Sequence, residues 1–343
     1  MAVLDTIAET PKVELHVHLE GCASPEFVYA ASQRNGVPLP AANLEDWKSR
    51  YRFTGLNHFI ELYVAAAKAL ARPDDFYELT VDLMQRQARA GVVYTEAFLS
   101  ASLLVGRLPG DEVLDALARA VADHAEELGT TVTFIPDVAR HMPNTSQWVL
   151  DFVKEGQKKG IVIGLGIGGP ERGFSTRAFT DMFADARAAG LHVVAHAGED
   201  SGPQDVEEAL EYLGAERIGH GIGVVGSPEL MRQLAQDGTP FEVCPTCNYR
   251  LNVVPQDRPH PIRAMYEAGL NCTVNSDDPA IIGTTLLDDY ALLGEQGFDQ
   301  GQLEQMIDNG WNAAFIDDSR RAQLKAAADG RDRDRERERG RER

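Results

Sequence analysis

His16 and His18 stand two residues apart in VELHVHLEG, in a chain that holds nine histidines. Imidazoles at i and i+2 of a strand share one face, so the pair offers two nitrogen ligands to one side. Alone, the pair fits a strand with two hydrogen-bonded histidines equally well. It gains meaning from three later segments: VAHAGED carries His196 and Glu199, RIGHG carries His220, and NSDDP carries Asp277 and Asp278. Three imidazoles and a carboxylate suit one borderline-soft divalent cation, usually zinc. His16, His18, His196 and Asp277 are the expected ligands, which leaves Glu199 and His220 as acid/base groups.

Such a site exists only if the chain brings four distant segments together. Eight short apolar runs begin at Val13, Val92, Thr131, Ile161, Leu191, Arg217, Pro240 and Leu270. Between most of them lie amphipathic stretches such as DEVLDALARAVADHAEELG and SPELMRQLAQDG. Several end in Gly, the usual helix stop. Apolar strands alternating with helices predict a parallel sheet buried on both faces, and eight units predict an α/β fold of the (β/α)8 TIM-barrel type. The His, Glu and Asp residues then fall at the C-terminal strand ends, where barrels carry their active sites. A doubly wound open sheet is the alternative, weakened because no G-x-G-x-x-G follows the first run. The stretch from Leu19 to Val92 is too long for one helix and its loops. Extra helices inserted after the first strand are expected there, HFIELYVAAAKALA and DDFYELTVDLMQRQARAG among them, in a position to cover a pocket.

Composition removes other classes. The chain has 343 residues, is 43% hydrophobic and carries a net charge of −20. A basic face for nucleic acid is not expected from that balance. No apolar run reaches the roughly 18 residues of a membrane span, and the N-terminus lacks the pattern of a secretory signal. Four cysteines in so long a chain do not suggest a disulfide scaffold, so a cytoplasmic protein is expected. Cys244 and Cys247 form C-x-x-C, read here as small buried thiols on a loop at the seventh strand end, with a dithiol redox protein as the competing reading. No H-E-x-x-H and no P-loop is found. Residues 1–328 are expected to form one metal-dependent hydrolase barrel, and 329–343, ending in RDRDRERERGRER, a charged disordered tail.

As an ordered set, HVHLEG, HAGEDSGP, AERIGHG, EVCPTCN and NSDDP resemble the adenosine deaminase family of the amidohydrolase superfamily, over about Pro11 to Gln323. The resemblance implies a (β/α)8 barrel, one catalytic zinc per chain, and hydrolysis of the 6-amino group of a small-molecule purine. It implies His16, His18, His196 and Asp277 as zinc ligands and Glu199 as the acid that protonates purine N1. His220 matches the histidine of the GHG motif, Gly169 the glycine whose backbone bonds N3, and Asp278 the aspartate that bonds the ring. The fourth run, IVIGLGIGG, lacks the lysine of binuclear relatives, so one metal is expected. Glu20 stands where adenosine deaminases carry an Asp that reads the ribose 5′-hydroxyl, and adenine deaminases often carry Glu there. RIGHG and PTCN, in place of the RIDHG and PLSN usual in adenine deaminases, favour the nucleoside branch. The expected substrate is therefore adenosine or 2′-deoxyadenosine, with aminodeoxyfutalosine and adenine as alternatives. A non-catalytic purine-binding relative is the reading from another class, and the intact ligand set speaks against it. The oligomeric state is not implied.

Overall fold

Each of the eight apolar runs contains a strand: β1 Lys12–His18, β2 Val92–Leu99, β3 Thr131–Ala139, β4 Gly164–Gly168, β5 His192–Ala197, β6 Arg217–His220, β7 Pro240–Val243 and β8 Asn271–Val274. The computed structural model describes residues 2–328, so the charged tail expected over 329–343 lies outside the described residues. The strands pair in parallel, each with its neighbour in the chain, in the order β1 to β8. β1 and β2 are buried at every position, as a sheet covered by helices requires. Closure between β8 and β1 is made by residues just past β8. The His18 N–H donates to the Asp277 carbonyl at 2.8 Å, and the Asp277 N–H donates to the His16 carbonyl at 3.1 Å. Asn275 adds its side-chain oxygen, which accepts the N–H groups of Leu15 and His16 at 3.0 and 3.1 Å. The fold is the (β/α)8 barrel.

Three runs differ in detail from their strands. β4 begins at Gly164; Ile161 and Val162 donate to the Gly156 carbonyl of the preceding helix, and Val162 meets β3 only as an isolated bridge to Phe134. β7 ends at Val243 because Pro245 opens a short helix, Pro245–Arg250, for which its fixed φ is suited. The C-x-x-C is therefore not on a loop: Cys244 precedes that helix and Cys247 lies in its first turn. β8 ends at Val274, and Asp277 stands beyond it in left-handed backbone, φ 64°.

The insertion after β1 folds as helices Pro25–Asn35, Leu44–Ser49 and Leu56–Ala69, followed by Pro73–Arg89. Helix Leu56–Ala69 buries Phe59, Leu62 and Ala66, and its Phe59 and Tyr63 face the barrel mouth. Pro73–Arg89 leads directly back to the sheet at β2.

The barrel interior is not wholly apolar. Arg217, 1% exposed, lies between Glu96 at 2.6 Å and Glu242 at 2.5 Å, with the Phe315 ring 3.7 Å from its guanidinium carbon. The glycines of β4 leave room for larger neighbours. A Cβ on Gly166 would meet the Phe98 ring at 3.0 Å and the Asp137 Cβ at 3.1 Å. Among the described residues, no helix is long and apolar enough to cross a membrane.

Arg217 is the cation between two fully buried carboxylates, so its removal leaves them uncompensated. Arg217→Met, close in volume, is expected to cost about 3–5 kcal/mol of stability. Urea unfolding checks this, and a loss below about 1 kcal/mol would show that the pair of carboxylates does not depend on it.

Candidate active site

Sequence alternation puts His16 and His18 on one face of β1, and the barrel turns that face inward. His16 Nδ1 is 2.8 Å from Glu242 Oε2. Burial raises the Glu242 carboxyl, but Arg217 and His16 outweigh it and hold the group below its ordinary value. The ionised carboxylate accepts, so His16 carries a proton on Nδ1 and turns Nε2 inward. That Nε2 is buried and has no hydrogen-bond partner. His196, on β5, donates from Nδ1 to the Ile167 carbonyl at 2.9 Å, which likewise leaves Nε2 facing in. His18 Nε2 lies 3.1 Å from His196 Nε2. Asp277 Oδ1 is 3.4 Å from both His16 Nε2 and His18 Nε2.

These four ligand atoms lie within 4.8 Å of one another. Burial lowers His18 to about 4 and His196 well below its ordinary value, so both present lone pairs. His16 differs: burial lowers it, but Asp277 and Glu242 more than offset this and raise it to about 9. Asp277 feels burial upward and His220, His16 and His18 downward, and the imidazoles win, so it is a carboxylate. An orphaned imidazole nitrogen, two neutral imidazoles and one carboxylate aimed at a common point fit a zinc-type cation.

His220 ends β6 in left-handed backbone, φ 57°, followed by Gly221 at φ 67°. Left-handed conformations at His220 and Asp277 are costly for such residues and persist where the surroundings impose them. A hydrogen-bond chain sets the His220 tautomer. The Ile262 N–H donates to His260 Nδ1 at 3.1 Å, so neutral His260 donates from Nε2 to Asn248 Oδ1, also 3.1 Å away. The Asn248 amide then donates to His220 Nδ1 at 3.2 Å. Burial holds His220 and His260 neutral, each lowered to about 3. His220 therefore points an Nε2–H into the site, 3.7 Å from Asp277 Oδ2 and 3.9 Å from Glu199 Oε2.

Glu199 lies on the loop after β5, which another carboxylate holds. Glu171 accepts the backbone N–H groups of Glu199, Asp200 and Ser201 at 3.1, 3.2 and 2.9 Å. Arg140 pairs with Asp205 at 2.9 Å and donates to the His196 carbonyl, tying the end of β5 to β3. Burial, then Asp277, Glu171 and Asp200, push the Glu199 carboxyl well above its usual range. Asp278 is pushed up in the same way, by burial and then by Asp277 and Glu199. It packs against Gly21 so closely that a Cβ there would lie 2.1 Å from Oδ1, which explains the glycine of HLEG. Gly169 turns the chain after β4 with φ 88° and lines the same cavity, of about 110 Å³, as Glu199 and Asp278.

Glu20 sits behind that cavity. Its two oxygens accept from the Ser100 N–H at 3.1 Å and the Tyr63 hydroxyl at 3.3 Å, and burial raises it to about 7. Cys244 and Cys247 are free and buried, and burial pushes both thiols well above their ordinary values, which keeps them protonated and unreactive.

The structure thus brings His16, His18, His196, Asp277, Glu199, His220, Asp278 and Gly169 to one mouth. Sequence reasoning missed Glu171, Glu242, Asn248, His260 and Asp137. For Glu242 and Asp137 a signal existed, since each is an acid inside an otherwise apolar run. Asp137 is 5% exposed and lines the cavity, and burial pushes its carboxyl well above the usual range.

A parallel (β/α)8 barrel with a nitrogen-rich cluster that could hold a metal ion and a buried acid at its C-terminal mouth has the arrangement of a hydrolase active site. The chain belongs to the adenosine deaminase family, whose profile matches residues 11–329. It is similar to an adenine deaminase of Cupriavidus necator, 34% identical over 96% of this chain and 94% of that one. Among solved structures it resembles the adenine deaminase of Arthrobacter aurescens, with a TM-score of 0.87 and 31% identity over 93% of this chain and 98% of that one. It also resembles an amidohydrolase of Burkholderia ambifaria with bound Zn, with a TM-score of 0.87 and 29% identity over 96% of this chain and 93% of that one. Membership makes the chain a hydrolase acting on a purine C–N bond.

Removal of the amide that faces His220 frees the ring to take the other tautomer. Asn248→Leu is expected to lower kcat about 10- to 100-fold while zinc content, read by atomic absorption, stays at the wild-type level. An unchanged kcat would show that the chain through His260 does not set His220.

Proposed function

We propose that this protein is a zinc-dependent adenine deaminase, which hydrolyses adenine to hypoxanthine and ammonia. The observation that carries the free base over the nucleoside is the state of Glu20. Its oxygens hold the Ser100 N–H and the Tyr63 hydroxyl, and Glu20 is not among the residues that line the cavity, so the carboxyl is directed at the protein rather than at a ribose hydroxyl. The adenine deaminases among the relatives support the same choice and displace the nucleoside from first place.

His16, His18, His196 and Asp277 would hold one zinc per chain. Bound there, zinc supplies a water acidified to a pKa of about 7. The remaining work falls to the chain. Glu199, kept protonated by burial and by neighbouring carboxylates, donates to purine N1, and this makes C6 electrophilic. His220, with Nε2–H turned inward, stabilises charge that develops at C6. Asp278, also protonated, faces the ring as a hydrogen-bond donor, and the Gly169 backbone meets N3. Helix Leu56–Ala69 covers the mouth with Phe59 and Tyr63 and excludes bulk water. The partner is a small-molecule purine. Four free, buried thiols suit a reducing, cytoplasmic setting.

The competence of Glu199 depends on its proton. Its pKa is raised, so the donating form is complete below that value and is lost as pH rises through it. The alkaline limb of kcat/KM is expected to report this loss. Glu199→Gln is expected to remove that limb and to lower kcat/KM by about 10²- to 10⁴-fold with zinc retained. Full turnover in that variant would remove Glu199 from its role. His18→Ala is expected to lose zinc during dialysis that leaves the wild type loaded, and metal retained by the variant would speak against His18 as a ligand. Zinc-loaded wild type is expected to show a higher kcat/KM on adenine than on adenosine, 2′-deoxyadenosine or aminodeoxyfutalosine.

A further inference from the structure

Asp137 is a buried carboxyl that the chemistry above leaves unused. It lies on β3 opposite Gly166 of β4, and a Cβ on Gly168 would come within 3.3 Å of its Oδ2. Glycines at 166 and 168 offer it no side-chain donor. Four other buried carboxyls of the barrel are provided for: Glu242 by Arg217 and His16, Glu171 by three backbone N–H groups, Glu14 by Ser276 and Gln87, and Glu20 by Ser100 and Tyr63. The Asp137 carboxyl has no hydrogen bond to any described residue. It is nevertheless 5% exposed and lines the cavity beside Gly168, Gly169 and Glu199. Buried polar groups ordinarily have partners, so a carboxyl left without one on a cavity wall marks where a ligand donor belongs.

The order of strands says which donor. The orientation proposed above sets purine N1 at Glu199, after β5, and N3 at Gly169, after β4. The next strand in the same direction is β3, and the next nitrogen round the purine edge is N9. In free adenine N9 can carry hydrogen, whereas in a nucleoside it carries carbon. We propose that Asp137 accepts a hydrogen bond from purine N9–H and is thereby the residue that selects the free base over its 9-substituted derivatives. A 9-substituted purine would place carbon against a buried carboxyl and leave it unpaired. Sites built around a substrate N–H reject analogues that lack it far more strongly than apolar pockets reject an added methylene.

This inference rests on the adenine reading, and 9-methyladenine separates the two, since it adds one methyl at N9 and no sugar. With the zinc-loaded wild type, kcat/KM is expected to be at least about 10³-fold higher for adenine than for 9-methyladenine. In Asp137→Ala, with zinc content and Tm recorded, that ratio is expected to fall to within about tenfold, chiefly through loss on adenine. Asp137→Asn keeps an acceptor and is expected to fall between. If neither variant folds, inhibition of the wild type decides, and hypoxanthine is expected to bind at least about 10²-fold more tightly than 9-methylhypoxanthine. Equal inhibition by the two, or an unchanged ratio in a folded Asp137→Ala, overturns the role of Asp137 and leaves the adenine reading standing. A wild type that prefers adenosine to adenine overturns both.

Discussion

The barrel closes through its own functional residues. Between β8 and β1 the backbone of Asp277 both accepts from the His18 N–H and donates to the His16 carbonyl, while its side chain approaches the imidazoles of the same two histidines. To do both, Asp277 takes a left-handed conformation that costs on the order of 1–3 kcal/mol for a residue of this kind. Asn275 steadies the seam by offering one side-chain oxygen to two backbone donors of β1. Fold closure and the placement of the His/Asp cluster are thus one set of hydrogen bonds, and a shift at the seam moves three candidate ligands at once.

Behind that seam, buried charge fixes orientation more than it adds stability. Glu96 on β2, Arg217 on β6, Glu242 on β7 and His16 on β1 form one chain across the barrel interior. Desolvation makes such a chain a weak source of net stability, but each group is intolerant of losing its neighbour. The result is an imidazole held in one tautomer with its free nitrogen facing the cavity. Asn248 and His260 do the same for His220, and Glu171 does it for the loop of Glu199. His16, His196 and His220 thus each lean on a second polar group within the rigid barrel, as preorganised electrostatics require.

Environment also separates groups of one type. Asp277 and Asp278 are neighbours in sequence and both are buried, yet Asp277 lies among imidazoles and is held low, while Asp278 faces Asp277, Glu199 and Glu20 and is held high. The first suits a metal ligand and the second a protonated donor. Glu199 shares the fate of Asp278 because burial and nearby carboxylates act on it together. Opposite shifts in adjacent acids are the usual way a site obtains both a base and an acid at one pH.

Much of this was legible in the sequence. The eight apolar runs, the glycine stops between them and the His-x-His spacing depend on local periodicity, which the barrel preserves. That His16, His18, His196 and Asp277 would meet was readable because strand ends of a parallel barrel meet at one mouth whatever the details of packing. The exact strand ends were not: Pro245 turned half of the seventh run into a helix, and NSDDP left β8 early to close the barrel. Nor could the sequence tell that Glu20 is already engaged by Ser100 and Tyr63, or that Asp137 faces glycines and has no donor. These are contacts between residues 43 to 80 positions apart for Glu20, and between neighbouring strands for Asp137. Residue types and spacing determined the fold and the class of chemistry, because both follow from short-range pattern. Which buried acids are satisfied, which stay protonated and which are left for a ligand was decided only by tertiary structure, because hydrogen-bond partners and desolvation are properties of neighbours in space.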